Sequence, residues 1–525
     1  MRKLWQWLVS HAVETRVSVV ILVVFGFLMF IPLLGTHPVI SADEGQRVYP
    51  PLEMLRTGDW VVPRLNGEDY LKKPPLLYWQ IAVLYKLFGV SEFMARLVPA
   101  LSGILFSLVV WLWARLLAGR GLGLVAGLIA AGNYFVLQKA RESQLDMPLG
   151  LMAVICLGAL WVVFLRIDAQ QRSAEHGEAQ SPAFQVPWPM WVWMAIAMVS
   201  LAAGLMYKGP VPWLMVGCAW VGACIATRRY RWVLHWRIWL VLLVSAVPLV
   251  AWALEVVREM GLEHTLAIWN REAERHLVTA TKINSGSPVF YVSRILALLL
   301  PWSVATWVFF KRDFYRSLFR EPVAVDPPAE SGTAAAGYHL GRPTAGFLLG
   351  GAFGSFVVLS CIPAKETEYL LGMIGVYVIM LALALGWWAD RKAWSSQFIA
   401  RAAFVSAALW LGVVYGPYNW YMARDARRTQ VVEIANYANQ AMKRGVPVAC
   451  YGMEATRPNL FFYLDRITPN LQKPQGVADF FAQNPDGLVF LRTKRMDNLE
   501  DFLGTKLKVV KTSPQNARVV LVAHP

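Results

Sequence analysis

The residues best suited to chemistry in this chain lie in five short polar stretches between long apolar runs. The first, 41–75, opens with Asp43-Glu44 and closes with Lys72-Lys73-Pro74-Pro75, with Trp60, Arg64, Asn66 and Tyr70 between. The second, QKARESQLDMPL, offers Arg141, Glu142 and Asp146, and the third, LMYKGPVP, offers Lys208. The fourth, AIWNREAERHL, carries Arg271, Glu272, Glu274, Arg275 and His276. The fifth, SCIPAKETEYLL, carries Lys365, Glu366, Glu368 and Tyr369. Ionisable groups at a membrane are costly to bury and are functional candidates by default.

One chemistry that uses both signs of charge at a bilayer surface is cleavage of the C1–O bond of a lipid-linked sugar phosphate. Negative charge then develops on the departing phosphate, and fixed cations in a low-dielectric site stabilise it. Lys73, Lys208, Lys365 and Arg275 are available for this. A hydroxyl acceptor needs a carboxylate to take its proton, and Asp43 or Asp146 can serve. A phosphate acceptor is already anionic, and the acids would then orient groups or balance charge. Each residue also has a plain structural reading. Asp43-Glu44 suits the first turn of a capped helix. Lys208 and Lys365 suit snorkelling positions, and 271–276 suits a charged helix face. His264 and His276 make a poor metal signature. The coincidence of all five stretches on one side is what favours chemistry.

That side follows from the apolar runs. The chain is 57% hydrophobic and only 16% charged, with 24 Trp, which excludes an ordinary soluble protein and predicts a polytopic α-helical membrane protein. Spans are expected near 16–35, 93–117, 121–137, 144–165, 189–206, 210–226, 237–257, 289–310, 344–362, 367–388 and 398–417, so about 11–13 helices at roughly 20 residues per crossing. The first is read as uncleaved, and 75–90 as a helix lying in the interface. With the N-terminus inside, the inner loops carry Arg115/Arg120, Arg166/Arg172, Arg228/Arg229/Arg231, Lys311/Arg312/Arg316 and Arg391/Lys392, as the positive-inside rule requires. The net charge of +16 is thereby accounted for without nucleic acid. The first loop, 36–92, and everything after about 418 then lie outside.

The tail reads differently. Strand-like runs at 446–451, 487–491, 507–511 and 519–522, preceded by a helical stretch at 429–443, predict a small α/β domain over 418–525. Segments 168–187 and 312–343 read as linkers. The five cysteines form no CxxC pair and no disulfide framework.

The run DEGQRVYPPLEMLRTGDWVVPRLNGEDYLKKPPLLYW, followed by LFGVSEFMARLVPALSG, resembles the first outer loop of GT-C glycosyltransferases of the family 39/83 group, which spans protein O-mannosyltransferases and ArnT-like lipid A aminoarabinose transferases. The ArnT-like side is the nearer. Weaker matches continue in LDMPL, Lys208-Gly209, the ExxR of Glu272 and Arg275, Pro301-Trp302, and Lys365 with Tyr369. The resemblance implies a GT-C transmembrane catalytic domain over 1–417 and a periplasmic domain over 418–525. The enzyme would be an inverting glycosyltransferase of the bacterial inner membrane using a polyprenyl-phosphate sugar, with undecaprenyl as the carrier. The acceptor would be an envelope glycolipid of the lipid A type, with a protein hydroxyl second. It implies Asp43, with Glu44 beside it and Asp146 in support, as the catalytic acids. It also implies Lys73, Lys208, Arg275, Lys365 and Tyr369 on the donor phosphate, and Tyr70, Arg64, Arg141 and Glu272 as substrate contacts.

Two positions depart from that pattern. Lys72 stands where Glu usually precedes the KP lysine, which weakens any carried-over metal site; no cofactor is required and a divalent cation stays an option. Gly372 stands where a proline usually ends the late motif. The rival class is a transporter or flippase for the same lipid. It would place charges near the midplane, often in repeated halves, and neither feature is visible here.

Overall fold

The apolar runs form helices because each offers many apolar residues with its backbone groups satisfied within the segment, as a bilayer requires. The computed structural model describes residues 14–176, 188–283, 289–320, 339–362, 365–394, 396–429, 431–453, 458–512 and 519–524. The expected linkers at 168–187 and 312–343 fall largely outside these residues.

Helix α1 (Thr15–Phe30) is followed by α2 (Ala42–Thr57), the strand pair β1 (Arg64–Leu65) and β2 (Glu68–Asp69), and α3 (Leu76–Phe88). Next come α4 (Glu92–Ala131), α5 (Tyr134–Arg141), α6 (Asp146–His176), α7 (Met190–Lys208), α8 (Val211–Ala226), α9 (Trp236–Met260), α10 (Leu262–Ile283) and α11 (Phe290–Leu298). After α12 (Arg312–Leu318), α13 (Gly341–Leu349) runs through a π turn into α14 (Ser355–Cys361). Helix α15 (Leu371–Arg391) follows, and α16 (Ser396–Val413) continues through a second π turn into α17 (Asn419–Thr429). Among the described residues, six helical stretches are long and apolar enough to cross a membrane. One of them, α4, is two helices. At Gly119 the backbone takes φ +85°, and a Cβ at Gly123 would meet Arg115 Cβ at 2.6 Å, so the chain doubles back on itself. This divides the stretch where the sequence separates 93–117 from 121–137. The protein is thus polytopic and membrane-embedded, with α15 at its centre and α9 exposing Leu243, Val247 and Leu254 at its rim.

Residues 431–524 build a five-stranded sheet of order β4-β3-β5-β7-β6, from β3 (Val448–Tyr451), β4 (Asn470–Leu471), β5 (Leu488–Leu491), β6 (Lys508–Thr512) and β7 (Val520–Ala523). β4, β3 and β5 are parallel; β5, β7 and β6 are antiparallel. The two-residue side-chain period divides the strands cleanly. Ala449, Tyr451, Val489, Leu491, Val520 and Val522 share a core with Val477, Phe481 and Leu499, from the helices 474–483 and 496–503. On the other face, Val448, Cys450, Leu488, Phe490 and Leu521 meet the helix 431–443 through Ile434, Ala435 and Ala438. That second core does not stop at the sheet. It continues into Val48, Tyr49, Leu52, Tyr78 and Tyr85 of α2 and α3. The C-terminal sheet and the first loop therefore share one core.

Candidate active site

Helix α2 starts where the sequence predicts a cap. Ser41 Oγ accepts from the Glu44 N–H at 3.0 Å, and Asp43 and Glu44 fill the first turn. The two acids then part. Asp43 is exposed. Glu44 is buried in a bidentate pair with Arg96 at 2.6 and 3.0 Å and accepts the Ser143 N–H at 3.1 Å. Arg96 also donates to the Leu34, His37 and Pro38 carbonyls. Glu44 and Arg96 thus fix the entry to the loop and the approach of 142–146.

One turn beyond Asp43, on the same helix face, stands Arg47. It is buried and donates to Tyr78 Oη at 3.1 Å and Tyr70 Oη at 3.5 Å. Tyr70 in turn donates to Gln46 Oε1 at 2.8 Å. Asp146, the first residue of α6, and Lys208, the last of α7, form a buried pair at 2.5 Å. Lys208 Nζ lies 5.0 Å from the ring centre of Tyr369. Lys73 lies close enough to Lys208, Arg47 and Glu366 to feel their charges. Burial first, then the two cations, hold its ammonium down at about 8, well below a free lysine. Lys365 is buried at the start of the 365–370 segment, and Lys139 binds Glu368 at 3.0 Å. Lys139 and Arg47 both act on the Asp146 charge. So Lys73, Asp146, Lys208 and Tyr369 come together, joined by Arg47 and Lys139. Nearby, burial pushes the Glu142 carboxyl up to about 7 against the pull of Lys139.

Other expected residues have local duties. Arg64 bridges Asp59 and Asp69 across the β1–β2 hairpin. Asp59 also accepts the Val61 and Val62 N–H groups. Arg141 donates to the Met29 and Pro32 carbonyls and so caps the end of α1. The side chains of Glu272 and Arg275 lie outside the described residues, although their backbone belongs to α10. No group of three His, Cys, Asp or Glu able to hold a metal is present among the described residues.

Sequence reading missed Arg47, Arg96 and Lys139. Arg47 was open to discovery, because helical spacing alone puts it over Asp43. Arg96 and Lys139 were not, because their partners lie 52 and 229 residues away.

The fold defines the class: this is a polytopic membrane protein with a GT-C-type fold. Within that class, the chain superposes on ArnT from Cupriavidus metallidurans, solved with undecaprenyl phosphate bound, with TM-score 0.69 over 96% of this chain and 97% of that one at 20% identity. An oligosaccharyltransferase from Archaeoglobus fulgidus, tethered to an acceptor peptide, matches with TM-score 0.51 over 94% of this chain and 70% of its own at 11% identity. The family model described as dolichyl-phosphate-mannose-protein mannosyltransferase matches residues 72–174. An undecaprenyl phosphate-alpha-4-amino-4-deoxy-L-arabinose arabinosyl transferase of Pseudomonas fluorescens is 26% identical over 54% of this chain and 48% of its own. A protein of the same description from Aeromonas salmonicida is 35% identical over 27% and 25%. An uncharacterized protein of Aquifex aeolicus is 30% identical over 34% and 42%. The sequence matches thus span less than half the length of these curated relatives. The resemblance read in the first loop implies the same fold that these superpositions show.

Proposed function

We propose that this protein is an inverting glycosyltransferase that moves a sugar from a polyprenyl-phosphate donor, undecaprenyl by preference, to an envelope acceptor of the lipid A type. The supporting observation is the meeting of Lys73, the Asp146–Lys208 pair and Tyr369, with Arg47 beside them one helical turn from the exposed Asp43. In this reading the catalytic part is 1–417 and the domain 418–525 is periplasmic, as is the site. The N-terminus is cytoplasmic, in a bacterial inner membrane.

The acceptor oxygen attacks C1 of the sugar from the face opposite the phosphate. The new C–O bond forms as the C1–O bond to phosphate breaks, and the electron pair leaves on the phosphate oxygen. Lys73, Lys208, Lys365 and Arg275 meet the phosphate, with Arg47 added to them as a buried guanidinium braced by two phenols. Tyr369 supplies the ring against Lys208. Asp43 orients the acceptor or takes its proton, Asp146 keeps Lys208 aimed, and Glu44 positions the helix through Arg96. Tyr70 braces Arg47. Arg64 holds the hairpin together and Arg141 the end of α1. Removing one phosphate contact is expected to cost about 2–4 kcal/mol of transition-state stabilisation.

A protein hydroxyl is the second acceptor, favoured by the mannosyltransferase family model over 72–174. The test is reconstitution with a labelled undecaprenyl-phosphate sugar and a panel of lipid A and peptide acceptors. Wild type should transfer the label and Asp43→Asn should lose about 10²-fold or more of the rate. Absence of transfer across the panel, or an Asp43→Asn variant as active as wild type, would sink the proposal.

A further inference from the structure

The ion pair between Lys139 and Glu368 falls outside the set assigned above to the reaction. Its two ends differ. The Lys139 side chain is 8% exposed and that of Glu368 35%. The lysine stands on a fixed platform. Helix α5 is capped by Asn133, whose Oδ1 accepts from Val136 N–H and whose Nδ2 donates to the Ile129 and Ala130 carbonyls. Its last residue, Arg141, is bound to the end of α1. The glutamate stands on a weaker support. Thr367–Leu370 is one short 3-10 turn, whose internal hydrogen bonds are poor. Buried Leu370 anchors its C-terminal end, and side-chain ties hold the residues before it. Lys139 reaches Glu368, and Lys208 reaches the ring of Tyr369. Both lysines also act on Asp146, so the two ties converge on one carboxylate.

We infer that Lys139 is a positioning residue, and that its pair with Glu368 is a latch holding Tyr369 against the Asp146–Lys208 pair before the donor arrives. The inference rests on the proposed function. Groups fixed in advance bind and react without a further ordering cost. The exposed glutamate makes the latch openable, because one partner is partly in water. The buried lysine makes it directional: with Glu368 neutralised, Lys139 keeps a charge that burial disfavours, and the short turn is released.

The full chain in lipid nanodiscs is the material for the test, with undecaprenyl phosphate as the probe. Lys139→Met and Glu368→Gln should each weaken its binding, and raise the donor KM, by about tenfold, while kcat changes less than about threefold. The double variant, Lys139→Met with Glu368→Gln, should lose no more than the worse single variant, because both remove one pair. Amide exchange at 365–371 should quicken in both single variants, with or without lipid. Glu368→Gln, on the exposed side, guards against a variant that fails to fold. Unchanged exchange would overturn the latch, as would single variants that bind like wild type or a double variant whose loss is the sum of the two. Were wild type to bind no undecaprenyl phosphate, the proposed function would fall. The exchange measurement would still report on the latch alone.

Discussion

Lys73 gives the site a pH signature. Its ammonium is held near 8, chiefly by burial and then by Lys208 and Arg47. The charge is therefore present below about pH 8 and lost above it. The donor KM should be flat up to that point and rise beyond it. A bound phosphate favours the charged form, so kcat should hold to higher pH than kcat/KM. Lys73→Arg keeps its charge throughout this range, so its KM should be raised but should no longer climb with pH. KM and kcat measured across about pH 6.5–9.5 check this; a wild-type KM that is flat to pH 9.5 would refute it. The acids show how far residue types can be read alone. Asp43 and Glu44 are adjacent and chemically alike, yet one is exposed and the other is locked to Arg96. Helix geometry sends neighbouring side chains about 100° apart. Which of the two meets Arg96 depends on a contact 52 residues away.

At the scale of elements, the first loop is less a catalytic strip than a docking piece. Asn66, at φ +57°, and Gly67, at φ +83°, form the hairpin turn. Glu53 accepts both of their N–H groups at 2.8 and 2.7 Å. Asn66 then exchanges hydrogen bonds with the backbone of Thr468 at 2.7 and 3.0 Å. Arg56 donates to the Leu464 carbonyl, and Val39 N–H to Tyr463 Oη. The closest approach is at Gly45, where a Cβ would lie 2.3 Å from the Asn459 nitrogen. Gly45→Ala should push the helix 458–462 away and cost about 1–3 kcal/mol. It should lower the thermal midpoint and quicken proteolysis of the C-terminal region; a variant as resistant as wild type would refute the tight contact. The Asn-Gly pair is a readable turn signal, although the sequence reading placed no hairpin there. Its role was not readable, because the residues that meet Asn66 carry no motif, and a pairing across 402 residues leaves no periodic trace. The edge strand Asn470–Leu471 went unread for a similar reason, having too few residues to show alternation.

The whole molecule was the most legible part. Apolar length and basic loops need no tertiary information, and both are set by the bilayer. The end of the bundle opposite the candidate site carries Asp168 with Arg172 and Arg229, and Arg391 near Asp313, in keeping with a cytoplasmic face. A reporter that works only in the cytoplasm should be silent at the C-terminus and active when inserted within 321–338; the reverse pattern would overturn the assigned sidedness. The shared core of the first loop and the sheet has a further consequence, in time rather than in space. The loop emerges early in synthesis and must wait for residues some 400 positions later before Asn66, Gly45 and Val39 meet their partners. Domains that form during synthesis do so from the N-terminus onward, but this loop is completed backwards, by residues 459–468. A nascent chain arrested before that segment would carry every membrane helix and still hold an unfinished loop. The proposed transfer activity is then expected only after residues 459–468 have been made.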